Sequence, residues 1–149
     1  MANFHTTIDT PASPSAVYAY LADFSSASQW DPTVVEAARL DPPALAAAPT
    51  VGSTFRLLVA FYGRRVELTY RVEEAQPDAR LVFVADEKRL RSRDTITIEP
   101  AAVGSRVTYD AVLDLKGLAR FLDKGLGLAF DRLGKNAAAG LERELAKLG

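Results

Sequence analysis

Apolar and polar residues change period several times along this chain, and each change marks an element. Phe4, Thr6 and Ile8 alternate with polar neighbours, which predicts a first strand ended by "TPASPS". Ser13 before Pro14 has the form of a helix N-cap followed by a proline at the first helical position. Val17, Tyr20, Leu21 and Phe24 then recur at helical spacing. "SSASQW" predicts a second short helix, closed at Asp31-Pro32 because a residue before proline disfavours helical torsions. Trp30 would then plug the corner at the end of a helix pair. Val34 to Leu40 reads as a strand, and "DPPALAAAPT", with three prolines, as a loop.

From Gly52 the period becomes two. In "TFRLLVAFYGRRVELTYRVEE", a two-residue turn at Gly63-Arg64 would set Tyr62 opposite Arg65, Phe61 opposite Val66, Val59 opposite Leu68, Leu57 opposite Tyr70 and Phe55 opposite Val72. Those last four pairs share one face. Ala60 with Glu67, Leu58 with Thr69 and Arg56 with Arg71 share the other. "RLVFVAD" predicts a further strand, and "SRDTITIEP" pairs with "SRVTYDAVLDL" around "AAVG". Ser92, Asp94, Ile96 and Ile98 fall on one face; Val107, Tyr109, Ala111 and Leu113 share a face of the partner. Leu118 to Leu148 forms a last helix of about 45 Å, with an apolar stripe through Leu118, Leu122, Leu126, Phe130, Leu133, Ala137, Leu141, Leu145 and Leu148. Gly125, Gly127, Gly134 and Gly140 weaken it, with a bend expected at "GLG".

The order is strand, two short helices, about six strands and one long helix. Hairpin connections favour an antiparallel sheet, and the amphipathic helix must cover its apolar face. The predicted fold class is α+β, one domain over residues 1–149.

Composition adds exclusions. The 149 residues are 48% hydrophobic and 25% charged, with net charge −1, so nothing in the charge balance draws nucleic acid. Zero cysteines exclude disulfides and thiolate sites and fit a reducing cytoplasm. The start "MANFHTTIDT" lacks a secretory pattern, and no apolar run reaches the roughly 20 residues that span a bilayer, so stable membrane insertion is not expected. A monomer and a weak dimer both stay open.

The segments "IDTPASPSAVYAYLADFSSASQWDP", "VGSTF" and "DTITIEPAAVGSRVTYDAVLDLKG", with the glycine-interrupted last helix, resemble the START-related helix-grip superfamily in its polyketide cyclase/dehydrase and lipid-transport branch. The resemblance covers nearly the whole chain. It implies a curved seven-stranded antiparallel sheet gripping the long helix, with an apolar ligand cavity between them. It also implies a hydrophobic guest such as a lipid, sterol or polyketide, with cyclisation or dehydration in a few members. Fold alone does not name the function. Trp30 resembles the family tryptophan near the end of the helix pair, and fits a packing plug or a cavity wall.

Candidate ligand contacts are Trp30, Phe55, Leu57, Val59, Phe61, Leu68, Tyr70 and Tyr109, faced by Leu122, Leu126 and Phe130 of the helix. Asp94, sharing a strand face with two isoleucines, must be paired or protonated. The expected resolution is an ion pair with an arginine at the sheet margin; the alternative is a raised pKa and an acid–base role as the candidate catalytic residue. Asp31 reads as a turn residue, with a catalytic acid as the alternative. His5, the only histidine, should face solvent; with no cysteine a zinc site would need carboxylates alone as its other ligands, and no serine sits in the glycine-flanked elbow that a hydrolytic triad favours. No glycine-rich phosphate loop precedes a helix, so no cofactor is expected. "DEKRLRSRD" reads as a solvated hairpin tip, or else a cationic rim for an acidic or thioester-linked ligand.

Three functions follow. The first is carriage or sensing of a hydrophobic small molecule. The second is an aldol-type cyclase or dehydratase using Asp94, Tyr70 and Tyr109. The third is a protein-interaction module presenting "DPPALAAAPT" or "KGLGLAF".

Overall fold

A computed structural model describes residues 1–40, 48–61, 63–117 and 123–149. The chain begins with β1 (Ala2–Thr10), then α1 (Pro14–Ala22), a 3-10 turn over Phe24–Ser26 and α2 (Ala27–Trp30). Six strands follow: β2 (Val34–Arg39), β3 (Thr54–Phe61), β4 (Arg64–Gln76), β5 (Arg80–Asp86), β6 (Leu90–Pro100) and β7 (Ser105–Leu115). Helix α3 (Asp123–Ala146) comes last. Ser13 caps α1 as its sequence predicts, its hydroxyl accepting from the Ala16 amide at 3.2 Å.

The strands form one antiparallel sheet in the order β1-β7-β6-β5-β4-β3-β2. Register shifts in β2 at Val34/Glu36 and in β4 at Val72/Glu74 insert extra residues, the kind of irregularity that bends a sheet. The result is the curved α+β helix-grip architecture, with α3 on the concave face.

The β3–β4 register differs from expectation by two residues. Phe55 opposes Tyr70, Leu57 opposes Leu68, Val59 opposes Val66 and Phe61 opposes Arg64. Gly63, with φ of +73°, is therefore the second loop residue and not the first. Tyr62, whose pairing with Arg65 was expected, lies outside the described residues. A shift of two preserves parity, so every side chain keeps its predicted face. It also removes the expected Arg56/Arg71 opposition. Arg56 now lies near Glu67, with Nε 3.0 Å from its carboxylate.

The core centres on Phe24, which stacks on Phe83 at 4.1 Å and meets Tyr70, Phe55 and Trp30 edge-on. Leu141 and Leu145 of α3 are fully buried at one end of this core. Helix α3 runs unbroken through Gly125 and Gly127, where a bend was expected; Leu118 and Leu122 lie outside the described residues. Its other two glycines mark close approach. A Cβ at Gly134 would lie 2.4 Å from the Phe4 ring, and one at Gly140 would lie 2.0 Å from the Trp30 carbonyl oxygen. Hydrogen at those positions lets α3 settle onto β1 and α2.

Of the proposed interaction segments, "DPPALAAAPT" is described only from Ala48, and "KGLGLAF" belongs to the first turns of α3. His5 is exposed and pairs with Asp110, its register partner on β7. Among the described residues no helix is long and apolar enough to cross a membrane.

Candidate ligand cavity

Between the curved sheet and α3 lies a cavity of about 170 Å³. Parity delivers its walls: β3 contributes Leu57 and Val59, β4 Leu68 and Tyr70, β6 Asp94, β7 Tyr109, α2 Trp30 and α3 Phe130. Phe55 is fully buried but sits behind the wall, edge-on to Phe24 and Phe83, and does not line the cavity. Its strand neighbour two residues on, Leu57, takes the wall position. Phe61, Leu122 and Leu126 are candidates about whose side chains nothing is described.

Several wall residues were not among the sequence candidates. Phe4 and Thr6 enter from β1, Ala111, Leu113 and Leu115 from β7, and Leu133, Ala137 and Leu141 from α3. Their parity with Tyr109 and with the helix stripe was visible; the curvature that turns β1 and β7 around the helix was not. Asp31, read from sequence as a turn residue, is the more consequential addition to the wall. It is a turn residue, its Oδ1 accepting from the Thr33 amide at 2.9 Å and the Thr33 hydroxyl at 2.8 Å, and it also faces the cavity.

Asp94 pairs with no described arginine, where an ion pair was expected. Arg93 and Arg91 alternate to the opposite face, where Arg93 holds Glu73 at 2.9 Å. The Asp94 carboxylate instead receives the Tyr109 hydroxyl on Oδ2 at 2.5 Å and the Ser92 hydroxyl on Oδ1 at 3.3 Å. Tyr70 reaches Ser92 at 2.9 Å and completes a buried chain. Burial pushes the Asp94 carboxyl up to about 6, the Tyr109 hydrogen bond restrains the rise, and the nearby Asp31 charge adds to it. Burial also raises Asp31, against the pull of the two Thr33 hydrogen bonds. Tyr70 and Tyr109 lie well above the usual phenol range, through burial first and then the Asp94 charge.

Trp30 joins these parts. It is 4% exposed, its indole meets Tyr109 edge-on at 5.8 Å and its Nε1 reaches the Ser26 hydroxyl at 3.4 Å. Its backbone lies against Gly140, so packing plug and cavity wall coincide in one residue. In the "DEKRLRSRD" segment, Leu90 turns inward to the wall while Arg89 and Arg91 are exposed and Asp86 pairs with Lys116. Among the described residues no group of three or more histidine, aspartate or glutamate side chains is placed to hold a metal ion.

No curated protein matches the chain in sequence. Solved structures match in fold. A START superfamily protein from Mycobacterium smegmatis superposes with a TM-score of 0.75 at 16% identity, covering 100% of both chains. A protein from Thermus thermophilus gives 0.76 at 18% identity, covering 98% of this chain and 97% of that one. A protein from Rhodobacter sphaeroides gives 0.65 at 20% identity, covering 99% and 94%. The family model described as polyketide cyclase / dehydrase and lipid transport matches residues 1–146. With that match over nearly its whole length and the helix-grip fold around its cavity, the chain belongs to the polyketide cyclase/dehydrase and lipid-transport family.

Proposed function

We propose that the protein binds and carries a compact hydrophobic small molecule in the cavity between sheet and α3. The observation that carries this reading is the cavity itself, about 170 Å³ walled mainly by aliphatic and aromatic side chains. A solid core would leave no such space, because interiors normally pack to crystal-like density. The volume resembles the roughly 150 Å³ apolar cavity that admits benzene, and lies below the roughly 300–1,000 Å³ of pockets for drug-sized ligands. A guest of one or two rings, or a short branched chain, matches it.

Thermal unfolding against a panel of small apolar compounds tests the reading. A ligand present at a hundred times its Kd stabilises by about 2.7 kcal/mol, which raises Tm by roughly 5–10 °C for a chain of this size. Trp30 emission should respond to the same ligands, since the indole is part of the wall. Failure of every apolar compound to shift Tm at millimolar concentration rules the reading out.

A second reading is enzymatic, and one observation favours it: Asp94 lies on the cavity wall, hydrogen-bonded to Tyr109, with burial pushing its carboxyl up to about 6. A carboxyl so tuned can act as general acid or base on an enolisable keto substrate. Asp94→Asn should then abolish turnover of a poly-keto or aromatic substrate while ligand binding persists; full turnover in that variant removes the role.

A further inference from the structure

We propose that the cavity selects a ligand whose polar end is a hydrogen-bond donor, a protonated amine on a compact apolar body, and that this ammonium group meets the end of the cavity walled by Asp31 and Asp94. The proposal rests on the cavity-binding reading above and adds the chemistry of the guest.

The hydrogen-bond donors of the wall are already committed. An ionised carboxylate only accepts, so the two contacts to Asp94 require Tyr109 and Ser92 to donate. Ser92 has one hydroxyl proton, already committed to Asp94. The 2.9 Å contact between Tyr70 and Ser92 therefore uses the Tyr70 proton. Thr33 gives both its amide and its hydroxyl proton to Asp31 Oδ1, and the Trp30 indole N–H turns to Ser26. Each of these donors on the wall thus points into the wall. What these wall residues leave unfilled is acceptor capacity: on the phenol oxygens, on the carboxylates and, on Asp31, at an Oδ2 for which no hydrogen bond from a described residue is found. Thr6 is the one wall hydroxyl without a partner among the described residues.

Charge points the same way. The described wall carries two carboxyl groups and no lysine, arginine or histidine. The Asp31 charge already disfavours ionisation of Asp94. A ligand carboxylate would add a third negative charge in a low-dielectric site. A ketone or ester would find only Thr6 as a donor. An ammonium group supplies the missing protons, relieves the repulsion with charge-assisted hydrogen bonds, and gains from the aromatic faces of Trp30 and Tyr109. Near pH 8 Asp94 is ionised, since it titrates at about 6, so these donor commitments hold there.

Isothermal titration of the full chain near pH 8 with three matched probes decides it: 2-phenylethylamine, propylbenzene and 3-phenylpropionate. The amine should bind about tenfold or more tighter than propylbenzene, and the carboxylate more weakly than propylbenzene. Asp94→Asn and Asp31→Asn should each weaken the amine about tenfold and leave propylbenzene within about twofold. Propylbenzene binding also reports a folded cavity; if Asp94→Asn loses it, Asp31→Asn decides alone. Equal or tighter binding of 3-phenylpropionate overturns the proposal, as does amine affinity indifferent to both substitutions. If propylbenzene fails with the unaltered chain, the cavity reading fails first and this proposal falls with it.

Discussion

Replacing Gly140 by alanine sets two effects of comparable size against each other. In a helix interior alanine is favoured over glycine by about 1 kcal/mol. At this position, however, the new Cβ would lie 2.0 Å from the Trp30 carbonyl oxygen and 2.9 Å from its carbonyl carbon. That neighbour is backbone and cannot rotate aside. Reaching even a tight 3.0 Å contact requires about 1 Å of separation between α3 and α2, beside the buried Leu141. Overpacking of this kind costs about 1–3 kcal/mol, and a clash with backbone belongs at the upper end. The expected net change is a loss of about 1–2 kcal/mol. Gly127 provides the control: it lies in the same helix with no described atom within 4 Å of an added Cβ, so Gly127→Ala should gain about 0.5–1 kcal/mol. Urea unfolding followed by circular dichroism should place the two midpoints on opposite sides of the parent, with equal slopes m. Trp30 emission should shift to the red only in Gly140→Ala. A Gly140→Ala chain as stable as the parent, with unchanged emission, would show that α3 does not rest on α2 as described.

Two further predictions concern Asp94. Its folded pKa of about 6 exceeds the ordinary 3.8, so the folded chain holds this proton more tightly than the unfolded one. The resulting stabilisation is complete below about pH 4 and is lost as pH rises through about 6, an effect on the order of 3 kcal/mol. Stability of the parent minus that of Asp94→Asn should therefore fall across this window; a flat difference refutes the assignment. Tyr109→Phe removes the hydrogen bond that restrains the carboxyl, so Asp94 should titrate above about 6. The carboxyl stretch in infrared difference spectra follows this titration directly, and a lower value contradicts the described pairing.

Much of the fold was legible because local chemistry and periodicity agreed. Ser13-Pro14 opens α1, and strands β5 and β7 keep their predicted limits because turn residues bound them on both sides. The β3–β4 pair shows where legibility stops. Two-residue alternation assigns faces but is blind to a shift of two, and only the torsion of Gly63 distinguishes the registers. The helix glycines show a different limit. "GLG" attracts attention in sequence, yet Gly134 and Gly140 are the ones crowded by Phe4 and Trp30, and crowding is a property of partners far away in the chain.

At the site, alternation placed Tyr70, Tyr109 and Asp94 on one inner surface. It could not pair Asp94 with Tyr109, because that contact depends on the β6–β7 register and on which rotamer burial leaves open. The place of Asp31 on the cavity wall was hidden for the same reason. Its role in the turn is written in its neighbours, whereas its second role depends on where the turn is carried.

The uneven seating of α3 has a mechanical consequence. One end is clamped, with Gly140 against Trp30 and Leu141 and Leu145 sunk in the core, while Leu128 near the other end is 82% exposed. A rod held this way behaves as a cantilever. A guest bulkier than the resting space should displace the Leu128 end before the Trp30 hinge. The chamber would thus widen from one side only, and its tolerance for larger guests would be set by the stiffness of a few helical turns.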